Sequence, residues 1–179
     1  MLKIFGTALL LLIVIVSGYL LYSPYSVQDS GVLLYDHLTR PESEVNFSLL
    51  TKSDVSAEDL NDKIVILDFW ASWCIPCRKQ FALFQELHVD YSGKDVMILA
   101  VNVKDEKEKA QAFLEGAAVS FPIAWDEESL LNDSLSVSVY PTTFLLDRNH
   151  QIVSKYSGFG TVSGNHERLV EDLLSMVEG

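Results

Sequence analysis

The chain has only two cysteines, and both stand in one short motif, Cys74-Ile75-Pro76-Cys77. The apolar run Ile64–Leu67 leads into this motif and predicts a buried strand. Residues 78–89, which follow the motif, carry apolar side chains three positions apart, as one face of a helix requires. The cysteine pair is therefore predicted at a strand-to-helix junction, with Cys74 at the N-terminus of the helix.

This position favours redox chemistry for the two cysteines. Unpaired N–H groups and the positive end of the helix dipole stabilise a thiolate on Cys74, and the thiolate is the nucleophile in disulfide exchange. Cys77 follows one turn later, where it is placed to resolve a mixed disulfide. The alternatives are a small structural disulfide and half of a zinc site. Zinc normally needs four protein ligands, and no histidine has a spacing that indicates a partner, so we predict no metal site.

Charge excludes one large class of partner. The formal net charge of the chain is −12, and its lysines and arginines form no cluster. A surface that binds phosphates needs a basic patch, so we predict no nucleic-acid partner.

The N-terminus predicts a membrane anchor. After Lys3, the segment Ile4–Leu21 contains no charged residue and would span roughly 27 Å as a helix, close to the thickness of a bilayer core. A cleaved signal peptide is the alternative, but the apolar run is longer than usual and no clean cleavage site follows it. We expect a single transmembrane helix within residues 1–25, a linker over 26–44 and one domain over 45–179, with the acidic domain exported.

The pattern of apolar residues predicts an α/β domain with a mixed central β-sheet between helices. Strands are predicted at 45–50, 64–69, 96–103, 121–124, 142–146 and 152–156. Helices are predicted at 53–61, 74–91, 107–118, 127–135 and 165–177.

Three segments carry a family resemblance: VILDFWASWCIPCR at 65–78, ILAVNV at 98–103 and YPTTFLLD at 140–147. In this order and at this spacing they resemble the thioredoxin superfamily, and within it the membrane-anchored, extracytoplasmic TlpA/ResA type. The resemblance implies a thioredoxin-like fold and reversible dithiol–disulfide exchange with protein substrates, often as a reductase in cytochrome c maturation. It also implies a place on the periplasmic side of a bacterial cytoplasmic membrane. Electrons would come from a membrane or extracytoplasmic donor, without a dissociable cofactor.

The resemblance also assigns a substrate groove. It identifies Pro141 as a cis-proline that faces the disulfide, which places the backbone of Tyr140 beside Cys74. An extended substrate segment would pair there as an added strand. The residues expected to contact substrate are Trp73, Ile75, Pro76, Tyr140, Pro141 and Thr142.

Asp68 is the predicted acid–base group. It stands where cytosolic thioredoxins carry a buried aspartate, whereas Gln80 stands where the TlpA/ResA type often has a glutamate. Ala100 occupies the approximate place of the lysine that accompanies the buried aspartate in thioredoxin. Burial without a counter-charge raises a carboxyl pKa, which suits a proton shuttle for Cys77. The alternative is a structural Asp68 held by a backbone hydrogen bond, with Gln80 reflecting drift.

These observations predict a membrane-anchored thiol–disulfide oxidoreductase that acts as a reductase of protein disulfides. Cys74 attacks, Cys77 resolves and Asp68 moves the proton. A thiol oxidase or isomerase is the nearest alternative, and the reduction potential distinguishes it. A carrier of copper or zinc on the two thiolates and a redox-silent adaptor are the alternatives from other classes.

Overall fold

The computed structural model describes residues 48–49, 57–159 and 164–179, in which a mixed β-sheet has helices on both faces. The six strands are β1 (Ser48–Leu49), β2 (Ile64–Trp70), β3 (Val96–Val103), β4 (Ile123–Asp126), β5 (Thr142–Leu146) and β6 (Ile152–Ser157). The four α-helices are α1 (Ile75–Asp90), α2 (Lys107–Ala117), α3 (Leu130–Ser134) and α4 (Asn165–Glu178), and Ala57–Leu60 forms a 3-10 turn. The predicted α/β class with a mixed central sheet is confirmed.

The order of strands places β2 inside the sheet. The strands lie in the order β1-β4-β3-β2-β5-β6. β2, β3 and β4 are parallel to each other, whereas β5 is antiparallel to β2 and β6 is antiparallel to β5. All seven residues of β2 are buried, as its largely apolar sequence predicts for a strand covered on both faces.

Two apolar cores lie on opposite faces of the sheet. Because side chains alternate along a strand, Ile64, Ile66 and Trp70 of β2 join the core that contains α1, α2 and α4. Val65, Leu67 and Phe69 join the other core, with the 3-10 turn and α3. Asp68 shares its parity with Ile66 and Trp70, so it is directed to the face that α1 covers.

Packing of α1 places the cysteine motif at the end of β2. Pro76 suits the first turn of α1 because its missing N–H would have no helical partner there. Further along, Phe81 is buried against Trp70, with ring centroids 4.8 Å apart, and against Phe113 of α2 at 5.4 Å. The short segment between β2 and α1 is thereby held against the core from both ends.

The predicted helix at 53–61 is a 3-10 turn at Ala57–Leu60 within the described residues, and several other bounds differ by one residue. Two further elements begin two or three residues later than predicted, and both differences have a local cause. The predicted helix over 127–135 is shorter because the Asp126 carboxylate accepts the amide N–H groups of Leu131 and Asn132, so the helix begins only at Leu130. The predicted strand over 121–124 begins at Ile123 because Pro122 has no N–H to donate to the ladder.

The predicted anchor over 1–25 and the predicted linker over 26–44 lie outside the described residues. Among the residues that are described, no helix is long and apolar enough to cross a membrane.

Candidate active site

Cys74 and Cys77 form a disulfide at the start of α1. Cys74 is the N-cap residue of this helix, and its Sγ accepts the backbone N–H of Cys77 at 3.3 Å. The predicted position of Cys74 at the helix N-terminus is therefore confirmed. Cys74 is 4 % exposed and Cys77 is fully buried. An incoming disulfide consequently meets the Cys74 sulfur first.

Exposed apolar side chains surround the disulfide. Trp73 is 58 % exposed, Ile75 is 71 % exposed and Val139 is 52 % exposed. Several large exposed apolar side chains near one another are typical of a surface that binds another molecule. Trp73 and Ile75 were predicted to contact substrate, whereas Val139 was not. The sequence signal that could have indicated Val139 is its position two residues before Pro141.

The loop that precedes β5 lies at the same edge of the sheet as the cysteines. The Tyr140–Pro141 peptide bond is cis, as the resemblance implied. The register pairs Thr142 with Phe69, so this loop leaves the sheet beside the segment that leads to Cys74. Thr142 donates its hydroxyl to the Val139 carbonyl at 2.7 Å, which fixes the turn.

Tyr140 and Trp73 link this loop to the motif. Their rings meet edge to face, with centroids 5.7 Å apart. The Tyr140 hydroxyl donates to Asn132 Oδ1 at 2.7 Å, and the Trp73 indole N–H donates to the Lys104 carbonyl at 3.1 Å. Trp73 and Tyr140, which are distant in the chain, thus meet next to the cysteine motif. Thr142 is only 1 % exposed, so its side chain supports the loop and is not part of the surface.

Behind the disulfide, Asp68 forms a closed polar network with two side chains. Its Oδ1 accepts the Gln80 amide at 2.9 Å and the Thr143 hydroxyl at 2.8 Å, and Gln80 also donates to Thr143 Oγ1 at 2.6 Å. Gln80 follows Cys77 by three positions on α1, so the two side chains share a helix face. Asp68 therefore lies on the side of α1 that Cys77 occupies.

Burial raises the pKa of the Asp68 carboxyl well above its ordinary range, because a charge is poorly solvated there. The hydrogen bonds from Thr143 and Gln80 favour the carboxylate and oppose this rise in pKa. No cation faces Asp68 along the sheet, because its register partners are Ala100 on β3 and Thr143 on β5. Its Oδ2 is buried without a hydrogen-bond partner among the described residues and is free to take a proton.

The described partners of Asp68 differ from the backbone donor that the structural alternative assumes, while the role of Asp68 as a proton shuttle stays a prediction. Both hydrogen bonds to Asp68 come from side chains, not from the backbone. Gln80 is 4 % exposed and binds the carboxyl directly, so it belongs to the site. Thr143 was also missed, although its place opposite Asp68 in an antiparallel pair follows from the strand register.

Replacing Gln80 with methionine should raise the pKa of Asp68 further, because a donor that favours the carboxylate is lost. We also expect a loss of about 1 kcal/mol in the free energy of unfolding. Carbon-13 NMR titration of the aspartate carboxyls measures the pKa, and urea unfolding measures the stability.

Gln85→Met is the matched control on the same helix, because Gln85 bonds to the exposed Ser120. It should leave the titration of Asp68 unchanged. An unmoved Asp68 pKa in the Gln80 variant would contradict the assigned network.

A second carboxylate fixes the segment in front of Cys74. Asp105, in the loop after β3, accepts both the backbone N–H and the hydroxyl of Ser72, the hydroxyl at 2.8 Å. It also accepts the Asn102 amide at 3.1 Å and the backbone N–H of Glu106 at 2.9 Å. Asp105 carries no local sequence signal for this role, because Ser72, which it holds, lies 33 positions away along the chain.

The arrangement defines a class of protein. An exchangeable disulfide at a helix N-terminus, next to a cis-proline loop and in front of a buried carboxyl, is the site of a thiol–disulfide oxidoreductase with a thioredoxin-like fold. In the described part of the chain, no cluster of three or more histidine, cysteine or acidic side chains is arranged to hold a metal ion.

Comparison with known proteins agrees with this class. Residues 41–155 match the AhpC/TSA family. Thiol-disulfide oxidoreductase ResA of Geobacillus kaustophilus is 31 % identical over 152 residues, which cover 85 % of each chain. ResA of Bacillus subtilis is 27 % identical over 174 residues, covering 96 % of this chain and 91 % of that one.

A solved structure is similar over most of its length. The crystal structure of a Chlorobium tepidum protein assigned as thiol:disulfide interchange protein DsbE superposes with a TM-score of 0.66 at 30 % identity. The match covers 74 % of this chain and 94 % of that one. The chain belongs to the AhpC/TSA family and is a thiol–disulfide oxidoreductase of the ResA/DsbE type.

Proposed function

We propose that the protein is a membrane-anchored reductase of disulfides in extracytoplasmic proteins. The observation that carries the proposal is the position of Cys74, which caps α1 between the exposed apolar side chains of Trp73 and Ile75. An exposed apolar surface of this kind fits a polypeptide substrate. The uncharged segment Ile4–Leu21 supports an anchor in a bacterial cytoplasmic membrane, with the domain on the periplasmic side.

The reaction proceeds by two thiol–disulfide exchanges. The Cys74 thiolate attacks one sulfur of the substrate disulfide, so a mixed disulfide forms and the other substrate sulfur leaves as a thiolate. Cys77 then loses its proton and attacks Cys74 Sγ, which releases the second substrate sulfur. Two electrons pass to the substrate, and the domain ends in the disulfide state. A dithiol donor in the membrane or outside the cytoplasm returns it to the dithiol, and no dissociable cofactor is needed.

Asp68 is the proposed acceptor of the Cys77 proton. Its pKa is raised by burial, which brings it closer to the pKa of a thiol, ordinarily about 8.5. Proton transfer from Cys77 to the free Oδ2 is therefore less unfavourable than transfer to an ordinary carboxylate. When the domain is reduced again, the same carboxyl returns the proton.

The surroundings of Cys74 favour a reductase over an oxidase. An oxidant needs an unusually stabilised reduced form. Beyond the N–H groups and dipole of the helix N-terminus, the next side chain adds nothing that stabilises the Cys74 thiolate, because Ile75 has neither charge nor donor. Apocytochromes c, whose paired cysteines take up haem as thiols, are the proposed substrates.

Full-length Cys77→Ser protein should accumulate a mixed disulfide with its substrate in the cell, because Cys74 can attack but nothing resolves the product. Non-reducing electrophoresis followed by mass spectrometry of the trapped adducts identifies the partners. The proposal requires exported proteins among them, joined through Cys74. Adducts only with cytoplasmic proteins, or none that depend on Cys74, would refute it.

Removal of residues 1–25 should move the protein from the membrane fraction to the soluble fraction and leave disulfide reduction intact. The described core is built from residues beyond this segment, so the truncated domain should fold. Fractionation, thermal unfolding and reduction of a model disulfide test this. A truncated chain that fails to fold would show that the segment belongs to the domain.

A further inference from the structure

A groove of about 720 Å³ lies between α1 and α2, and Trp73 is part of its lining. Phe81 and Phe113 contribute aromatic rings to its lining. Ala112 and Ala117 line it from α2 with small side chains, which leave space within the groove. The groove is thus wide enough for a side chain and offers it an apolar surface. Nothing in the exchange between Cys74 and Cys77 uses it.

The charges along this groove are of one sign. Arg78 and Lys109 line it, and no acidic residue is among the described residues that do so. Arg78 stacks over the Phe113 ring at 5.3 Å and donates to the Ser72 carbonyl at 3.1 Å, but it forms no salt bridge among the described residues. Lys109 is paired with Glu106, which lies outside the lining. A guanidinium that no described carboxylate neutralises suits a carboxylate ligand.

The groove is continuous with the redox site. Trp73 and Ser72, immediately before Cys74, are among the residues that line it. Arg78 follows Cys74 by four positions, which is about 6 Å along the helix axis. Two residues of an extended peptide span that distance.

We propose that this groove binds the part of a protein substrate that flanks the attacked cysteine, and that it selects an apolar side chain next to a carboxylate. The apolar side chain lies against Phe81 and Phe113, and the carboxylate pairs with Arg78. The inference rests on the proposed reduction of protein disulfides by Cys74 and adds the chemistry of the preferred substrate.

Three peptides test the preference. Each peptide has one cysteine, which is joined to thiopyridine as a mixed disulfide. The pair Leu-Glu, Leu-Gln or Ser-Glu stands two residues away from this cysteine on both sides, one pair type in each peptide. The reduced protein gives up two electrons and becomes the disulfide, while the peptide thiol and thiopyridone are released. We expect kcat/KM for the Leu-Glu peptide to exceed that for the other two about threefold to fivefold at low salt. The advantage over Leu-Gln should shrink as salt is added.

The double variant Arg78→Gln, Lys109→Gln should lose the preference for Leu-Glu over Leu-Gln. Lys79→Gln, Lys107→Gln is the matched control, because it removes the same charge from the same two helices outside the groove lining and should keep the preference. Ratios are taken within each variant, so a general change in thiol reactivity cancels.

Equal rates for the three peptides in the native protein would overturn the groove assignment, as would an equal loss of preference in both double variants. Failure to reduce any peptide would instead refute the proposed reductase function.

Discussion

Cys74→Ser should abolish disulfide reduction, because serine offers no thiolate at the helix N-terminus. Cys77→Ser should retain the first attack and stop at the mixed disulfide. Release of a chromophoric thiol from a peptide mixed disulfide follows the first step, and electrophoresis of the trapped adduct follows the second. Each variant replaces one sulfur atom with oxygen and cannot form the disulfide, so its thermal unfolding should resemble that of the reduced native protein.

The order of reactivity provides an independent check of these roles. In the reduced protein, an alkylating reagent at neutral pH should modify Cys74 before Cys77, because Cys77 is completely buried and Cys74 caps the helix. Preferential alkylation of Cys77 would reverse the assignment of attacking and resolving thiol.

Asp68→Asn should slow the Cys77 step roughly a hundredfold and leave the first attack by Cys74 nearly unchanged, because general acid–base help is commonly worth that much. In the native protein the rate of the second step should follow the raised pKa of Asp68, whereas in the variant it should follow the Cys77 thiol. Stopped-flow tryptophan fluorescence measures both steps, with Trp73 beside the disulfide as the reporter.

The same substitution should change the pH dependence of stability. The Asp68 carboxyl has a higher pKa in the folded state than its ordinary 3.8. The stability linked to this group is therefore fully present below pH 3.8 and is lost progressively as pH rises through the folded pKa. The variant lacks this ionisation, so its stability relative to the native protein should increase with pH over that window. Urea unfolding at several pH values measures the difference.

Asp126→Asn is the matched control for both measurements. Burial also raises the pKa of the Asp126 carboxyl, but this residue lies at the end of β4 and caps α3. Its replacement should affect stability without slowing the Cys77 step. If Asp68→Asn shifted only the melting temperature and left the pH–rate profile unmoved, Asp68 would be a structural residue and the shuttle would be wrong.

Most of the fold could be predicted because its elements have strong local signals. The apolar run that forms β2 and the turn at residues 147–150 between β5 and β6 both appear in the sequence. Boundaries near Asp126 could not be predicted, since they depend on a side chain that satisfies amides five and six residues later.

Without the family resemblance, the chemistry of the site was predictable only where the responsible residues lie close together in the chain. The Cys74–Cys77 motif shows its own spacing, whereas Gln80 and Thr143 gain their role by meeting Asp68 across 12 and 75 positions. A carboxyl within an apolar strand indicates that Asp68 needs a hydrogen-bond partner. The identity of that partner depends on the register of β5 against β2.

The hydrogen bonds that converge on Asp105 bear on how the enzyme meets its substrates. They tie Ser72 to the loop after β3, while the Trp73 indole is tied to Lys104 in that same loop. A segment held in this way before any encounter has little conformational entropy left to lose on binding. Docking should therefore resemble a lock and key more than an induced fit, and partners that present the wrong shape should be rejected mainly by fast dissociation.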